Sequence, residues 1–175
     1  MGFADFTLAV DVIIMITIVI CVLLGAHLNK HDQGFAITIN VLFAFWAIDS
    51  IGYNLLKDVV ASMPEMMKSI WYFYFMLLNL GFIWTTTHFH IVRNIAISTT
   101  VKTLLFIQLI FACCQFVRLA ERFVFDSSLF AMFYRYIMPS LTLLTAAIII
   151  LKVTTVLIYK NMSEKMLAPD MLDNA

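Results

Sequence analysis

The segment from Phe35 to Leu56 reads "FAITINVLFAFWAIDSIGYNLL". A helix needs about 20 mostly apolar residues to cross the hydrocarbon core of a bilayer. This stretch has that length, and its one charged residue is Asp49. A charged side chain inside a span is costly to bury unless it is paired. The stretch therefore predicts a transmembrane helix and raises the question of which groups lie opposite Asp49.

The composition places the whole chain in the same class. Of its 175 residues, 63% are hydrophobic and 13% are charged, whereas an ordinary soluble domain has about 45–50% and about 25%. Eleven Lys and Arg balance eleven Asp and Glu, and no run of basic residues is present. Nucleic acid is therefore not an expected partner. The partner that the composition predicts is the lipid bilayer.

Five stretches have the length and apolar character of a membrane span: Phe6–Leu28, Phe35–Leu56, Ser69–Val92, Val101–Phe125 and Leu129–Tyr159. The connections between them are short and contain residues typical of turns. The predicted fold class is all-α, a polytopic membrane helix bundle of about five transmembrane helices with short loops. We expect residues 1–160 to form this single bundle and residues 161–175 to form a short polar C-terminal tail.

Lysine and arginine near the span ends indicate the orientation, because they are retained preferentially in the cytoplasm. An outside N-terminus places five of them on the cytoplasmic side: Lys30, Arg93, Lys102, Lys160 and Lys165. Four then lie on the other side: Lys57, Lys68, Arg118 and Arg122. We expect an integral protein of the plasma (inner) membrane, with its N-terminus outside and its C-terminus in the cytoplasm.

Charged residues of four predicted spans fall at one depth. Counting at 1.5 Å per residue from the same membrane side places them within about 12 Å of the span ends. The set is Asp11, Asp49, Arg118, Glu121, Arg122 and Arg135. Arg118 and Glu121 share a helix face, so they can pair and leave an arginine for Asp49 or Asp11. The set is either an interhelical network that fixes which helices are neighbours, or the lining of a vestibule for an ion or small polar ligand.

The histidines lie toward the opposite membrane face: His27, His31, His88 and His90. His88 and His90 are two residues apart and therefore point to nearly opposite sides of a helix, which argues against a four-histidine metal site. The residues could sense pH or bind a ligand, or simply cap helix ends near the membrane interface. A haem held by His27 and His88 has no support beyond the imidazoles. We predict no metal and no cofactor.

Three further features concern packing. Thr17, Cys21 and Gly25 recur every four residues and predict a small-residue ridge for close helix packing within the bundle or against another subunit. The aromatic run from Trp71 to Phe75 is typical of an interfacial anchor. Lys152 is expected to extend its amine toward the membrane surface, with a buried partner as the alternative.

No catalytic constellation is present in the sequence: it has no nucleophile elbow, no glycine-rich phosphate loop and no HExxH motif. We therefore expect a non-enzymatic integral membrane protein that acts as a subunit of a homo-oligomer or of a larger membrane complex. One alternative is a small oligomeric ion channel or transporter that uses the charged residues as its vestibule. Another is a membrane sensor that signals through the fifth helix and the tail.

Overall fold

The computed structural model describes residues 12, 16, 17, 19 and 20, and then residues 32–62, 69–125 and 129–167. Within these ranges the regular structure is helical throughout. The four long helices are α1 (Gln33–Ser62), α2 (Ser69–Val92), α3 (Thr99–Ala120) and α4 (Leu129–Leu167). A π-helical turn, Glu121–Phe125, continues directly from α3.

Four of the predicted spans correspond to these helices, and each helix is long and apolar enough to cross a membrane. The third predicted span has the bounds of α2. The helix predicted from Leu129 continues beyond Tyr159 to Leu167, across the expected start of the tail. The first predicted span, Phe6–Leu28, lies almost entirely outside the described residues, so the count of about five is not confirmed.

Local hydrogen bonds explain where the helices begin and end. Asp32 caps α1, because its Oδ1 accepts the backbone N–H of Phe35 at 2.9 Å. After α2, Asn94 adopts a left-handed φ of 52°, which asparagine tolerates better than most residues. The N–H groups of Asn94 and Ile95 then bond to the carbonyls of Ile91 and His90 at 3.0 and 2.9 Å. These paired bonds form a Schellman motif, which ends α2 and turns the chain toward α3.

The central helix of the described bundle is α3, which contacts α1, α2 and α4. Its buried residues recur at intervals of three and four, so one broad face is covered. At the start of α3, Leu104 joins a core cluster with the first turns of α1 and the second half of α4: Phe35, Ala36, Ile39, Ile149 and Val153. The cluster therefore closes the bundle at the end where α2 turns into α3.

The sides of the helices that face away from the bundle are largely apolar. Between 17% and 44% of the residues in the most apolar window of each span are buried inside the protein. Large apolar side chains such as Leu151 and Phe106 are more than half exposed. A soluble protein rarely presents such a continuous apolar surface, whereas a lipid bilayer covers it. The four helices therefore support a membrane protein.

Helices α1 and α2 run antiparallel, and glycines let them approach closely. A Cβ atom added to Gly34 would lie 2.8 Å from His90 Cε1, and one added to Gly81 would lie 3.0 Å from Phe45 Cε1. A Cβ atom on Gly52 would overlap the hydroxyl and ring of Tyr74. That hydroxyl donates a hydrogen bond to the Ile48 carbonyl at 3.1 Å. Glycine thus makes room for a ring at both ends of the α1–α2 contact.

We expect Gly52→Ala to destabilise the bundle, because the new methyl group displaces Tyr74 and breaks its bond to Ile48. The expected loss is about 1–3 kcal/mol, typical of overpacking, measured as thermal or denaturant unfolding in mild detergent. Gly81→Ala is the matched control, since the Phe45 ring there has to move by only a few tenths of an ångström. Equal stability of the two variants would contradict this account.

Candidate functional site

Among the described residues, a buried pair of charged side chains lies at the end of the bundle where α3 turns toward α4. Arg118 and Glu121 are 7% and 6% exposed, and the Arg118 guanidinium pairs with Glu121 Oε2. The other carboxylate oxygen, Glu121 Oε1, accepts the backbone N–H of Phe130 at 2.7 Å. Phe130 lies in the first turn of α4, where N–H groups lack helical partners and the helix dipole favours a negative charge. Glu121 therefore joins the end of α3 to the start of α4.

Tyr72 of α2 joins the same region through its ring. The guanidinium carbons of Arg118 and Arg122 lie 5.8 and 5.6 Å from the centre of the Tyr72 ring, which is cation–π distance. The Tyr134 ring meets the Tyr72 ring edge-on at 5.7 Å between centroids. The Tyr134 hydroxyl donates to Gln115 Oε1 at 2.8 Å. Together with Glu121, we call these residues of α2, α3, the π-helical turn and α4 the arginine–tyrosine cluster.

Sequence reasoning missed half of this cluster. Tyr72 belongs to the aromatic run that is typical of an interfacial anchor, yet its ring contacts two arginines inside the bundle. Gln115 and Tyr134 belong to none of the predicted sets. One signal existed: Gln115 lies three residues before Arg118 on the same helix, and such a spacing puts both side chains on one face.

The predicted charged set is only partly gathered in the structure. Arg118, Glu121 and Arg122 meet around Tyr72. Asp49 is half-buried on α1, and its carboxylate is an electrostatic neighbour of Tyr74. Arg135 lies on the exposed face of α4. Asp11 lies outside the described residues.

The two described histidines face opposite sides of α2. His88 is exposed and stacks on Trp84, with 5.2 Å between ring centroids and 11° between ring planes. His90 is 1% exposed and lies between Thr38 of α1 and the Ile95 carbonyl. His27 and His31 lie outside the described residues. Among the residues that are described, no group of three or more His, Cys, Asp or Glu could hold a metal ion.

Other polar groups accompany His90 at this end of the bundle. Thr86, one turn earlier on α2, is fully buried, and its hydroxyl has no hydrogen-bond partner within the described part of the chain. Lys152 of α4 pairs with Asp32 at 2.7 Å, a partner that directly precedes the start of α1 at Gln33. Asp32 thus has two functions, since it also caps α1. An aspartate three residues before an apolar run is a capping signal that the sequence already contained.

The structure describes one of the three residues of the predicted small-residue ridge on the first span. Thr17 is helical and 7% exposed, whereas Val12, Ile16, Val19 and Ile20 are helical and exposed. This pattern fits a helix with one buried face, on which Thr17 lies. Cys21 and Gly25 lie outside the described residues.

Comparison of the chain with known protein families, with curated proteins and with solved structures finds no match.

We expect Glu121→Gln to destabilise the protein strongly, because it leaves the buried Arg118 guanidinium without its carboxylate. Removing one partner of a buried ion pair typically costs about 3–5 kcal/mol. Combining Glu121→Gln with Arg118→Met should recover most of this loss, since the double variant leaves no charge of the pair buried without its partner. Unfolding in detergent measures both steps. A double variant as unstable as the single one would contradict the view that the unpaired Arg118 charge causes the loss, since the glutamine oxygen can still accept the Phe130 N–H.

The two functions of Asp32 can be separated by substitution. Asp32→Asn keeps the N-cap but removes the charge, and Lys152→Met removes the same ion pair from the other side. We expect similar and small losses from both, because the paired side chains are 18–25% exposed and partly exposed pairs contribute about 0–1 kcal/mol. Asp32→Ala also removes the cap and should cost about 1 kcal/mol more. Equal unfolding midpoints for Asp32→Asn and Asp32→Ala would contradict the capping function.

Proposed function

We propose that the protein is a non-enzymatic integral membrane protein that acts as a subunit of a homo-oligomer or of a larger membrane complex. The observation that carries this proposal is Asn40, an exposed amide on the span-forming part of α1. It lies seven residues beyond Gln33, which is about 10 Å along the helix. At that depth lipid tails offer no hydrogen bonds, whereas a neighbouring transmembrane helix can.

The Asn40 side chain is only partly satisfied by its own helix. Its amide nitrogen donates to the Ala36 carbonyl at 2.9 Å, and this is its one hydrogen bond among the described residues. A side-chain amide has two N–H groups and an acceptor oxygen. The oxygen and one N–H therefore remain for a group outside the described part of this protomer.

Asn40 also lies on a suitable surface. The exposed residues of α1 include a stripe at intervals of three and four: Asn40, Ala44, Ile48, Ile51 and Leu55. These intervals keep all five side chains on one helix face. A small residue next to the asparagine allows a second helix to approach closely, as is typical of transmembrane helix pairs.

The arginine–tyrosine cluster supports a structural function more than a vestibule. Both oxygens of Glu121 are engaged, one by Arg118 and the other by the Phe130 N–H. Arg118 also contacts the Tyr72 face. Groups that satisfy each other in this way hold helices together and leave little capacity for binding a passing ion.

We further propose the plasma (inner) membrane as the location, with the N-terminus outside and the C-terminus in the cytoplasm. Arg93 and Lys102, which flank the connection between α2 and α3, are both exposed. Exposed basic residues next to span ends favour the cytoplasmic side. The opposite end of α3 carries its arginines inside the protein or against an aromatic ring.

Asn40→Leu should weaken the assembly while leaving the fold of the protomer intact. An interhelical hydrogen bond in a membrane contributes about 0.6–1.7 kcal/mol, so the dissociation constant should rise by roughly 3- to 20-fold. The measurement is the particle mass in mild detergent or nanodiscs over a concentration series, with co-purifying proteins identified in the same sample. Thermal unfolding checks that the protomer remains folded.

Asn54→Leu is the matched control for this experiment. Asn54 is also exposed on α1 and also bonds back to its own helix, to the Ser50 carbonyl at 2.9 Å. It lies two residues from the end of the span at Leu56, close to water, so its loss should leave the mass unchanged. A monomeric wild-type protein without a partner, or an Asn40→Leu variant with unchanged assembly, would overturn the proposal.

A further inference from the structure

The exposed Asn40 amide needs a partner that both donates and accepts. Its nitrogen donates one N–H to the Ala36 carbonyl at 2.9 Å, and its second N–H and its oxygen have no partner within the described part of the chain. A group that only donates leaves the N–H of Asn40 without an acceptor, and a group that only accepts leaves the oxygen without a donor. The chemistry of the missing partner is therefore that of another amide.

The depth of Asn40 in the membrane limits which residues of a second copy can reach it. Copies of one membrane protein share an orientation, because the sequence sets it, so identical residues lie at the same depth. Helices α1 and α2 are antiparallel, and Gly34 faces His90. Asn40 lies six residues after Gly34, and Trp84 lies six residues before His90. Exposed polar side chains of a second copy at this depth therefore include its own Asn40 and its Trp84.

These two candidates differ in the hydrogen bonds that they offer. The Trp84 side chain is 68% exposed, but an indole can only donate. A bond from Trp84 to the Asn40 oxygen would leave the second N–H of Asn40 in the lipid. Two facing amides instead exchange two N–H···O bonds, one in each direction, and leave no polar group of the pair without a partner.

The surface beside Asn40 suits a close pair of identical helices. Ala44 is exposed one turn further along α1 and lies on the same face. Its small side chain allows a second helix to come near enough for the amides to meet. Ile48 continues this face and is 47% exposed. A second α1 would therefore cover both an amide and the apolar side chains next to it.

We propose that the partner at this face is a second copy of the chain, related by a two-fold axis along the membrane normal that passes beside Asn40. The two α1 helices cross near Asn40 and Ala44, and each Asn40 oxygen accepts an N–H from the other amide. Such a contact uses the same surface on both copies, so it closes as a dimer. This inference rests on the proposed assembly function and names the partner that the function leaves open.

Oxidative crosslinking of Ala44→Cys tests the pair while Asn40 stays in place. The variant is made in the full chain with its three native cysteines replaced by alanine. Two copies with different affinity tags are expressed together, so that a homodimer can be told from a complex with another protein of similar mass. We expect a disulfide-linked dimer that carries both tags when the membranes are oxidised.

Ala147→Cys in the same background is the matched control. Ala147 is also exposed, but it lies on α4. Its neighbour two positions on, Ile149, belongs to the core cluster that contains Ile39, the residue before Asn40. The two alanines therefore lie at a similar depth on different helices. Ala147→Cys should give little linked dimer, and equal linking of both variants would show random collision in the membrane.

Substitution of Asn40 in the Ala44→Cys background tests the amide pair itself. Asn40→Leu removes both bonds of the pair, so the dissociation constant of the dimer should rise about tenfold or more. The linked fraction, measured over a series of protein-to-lipid ratios, should fall accordingly. Asn40→Gln keeps an amide and should retain most of the dimer. Trp84→Phe should leave the linked fraction unchanged.

The possible results distinguish this inference from the proposed assembly function. Equal linking with and without Asn40→Leu, or a dimer that is lost in Trp84→Phe, would overturn the Asn40 pair. A stoichiometric foreign subunit in place of the second copy would also overturn the pair, but it would leave the proposed assembly function standing. A monomer without any partner would overturn both.

Discussion

The two oxygens of the Glu121 carboxylate contact different groups, and these two contacts hold α3 and α4 in their arrangement. One oxygen neutralises the buried Arg118 guanidinium, and the other supplies the acceptor that the first turn of α4 lacks. An ion and a helix terminus that are removed from water each need such a partner. Because one side chain serves both, the end of α3 and the start of α4 are held in a fixed geometry, which Tyr72 then reinforces from α2.

The opposite end of the bundle is held by different chemistry. The apolar cluster that contains Phe35 and Ile149, together with the Asp32–Lys152 ion pair, joins α1 to α4. His90 joins α2 to α1 and to the following connection, because its ring nitrogens lie within hydrogen-bonding distance of Thr38 and of the Ile95 carbonyl. One end is therefore held by a buried ion pair, whereas the other combines an apolar cluster, a partly exposed ion pair and a buried histidine ring.

The sequence predicted that the described long helices would form. It did not predict which groups would lie next to individual polar residues. The bounds of α2 follow from an apolar run between turn residues, and the pairing of Arg118 with Glu121 follows from their spacing on one helix. Contacts between helices depend on how far each helix is rotated about its axis. A nearly uniform apolar pattern does not encode this rotation. The sequence therefore could not show that the Tyr72 ring contacts two arginines, and it left open whether Lys152 has a partner.

The sequence is sufficient to establish that this chain forms long apolar helices, since length and hydrophobicity are properties of each segment alone. It also determined that the charged residues within those helices would need partners. The identity of these partners depends on the fold, because Glu121 and Phe130, or Asp32 and Lys152, meet through the packing of separate helices. The same packing buried His90 and left His88 exposed, although the two are only two positions apart in the chain.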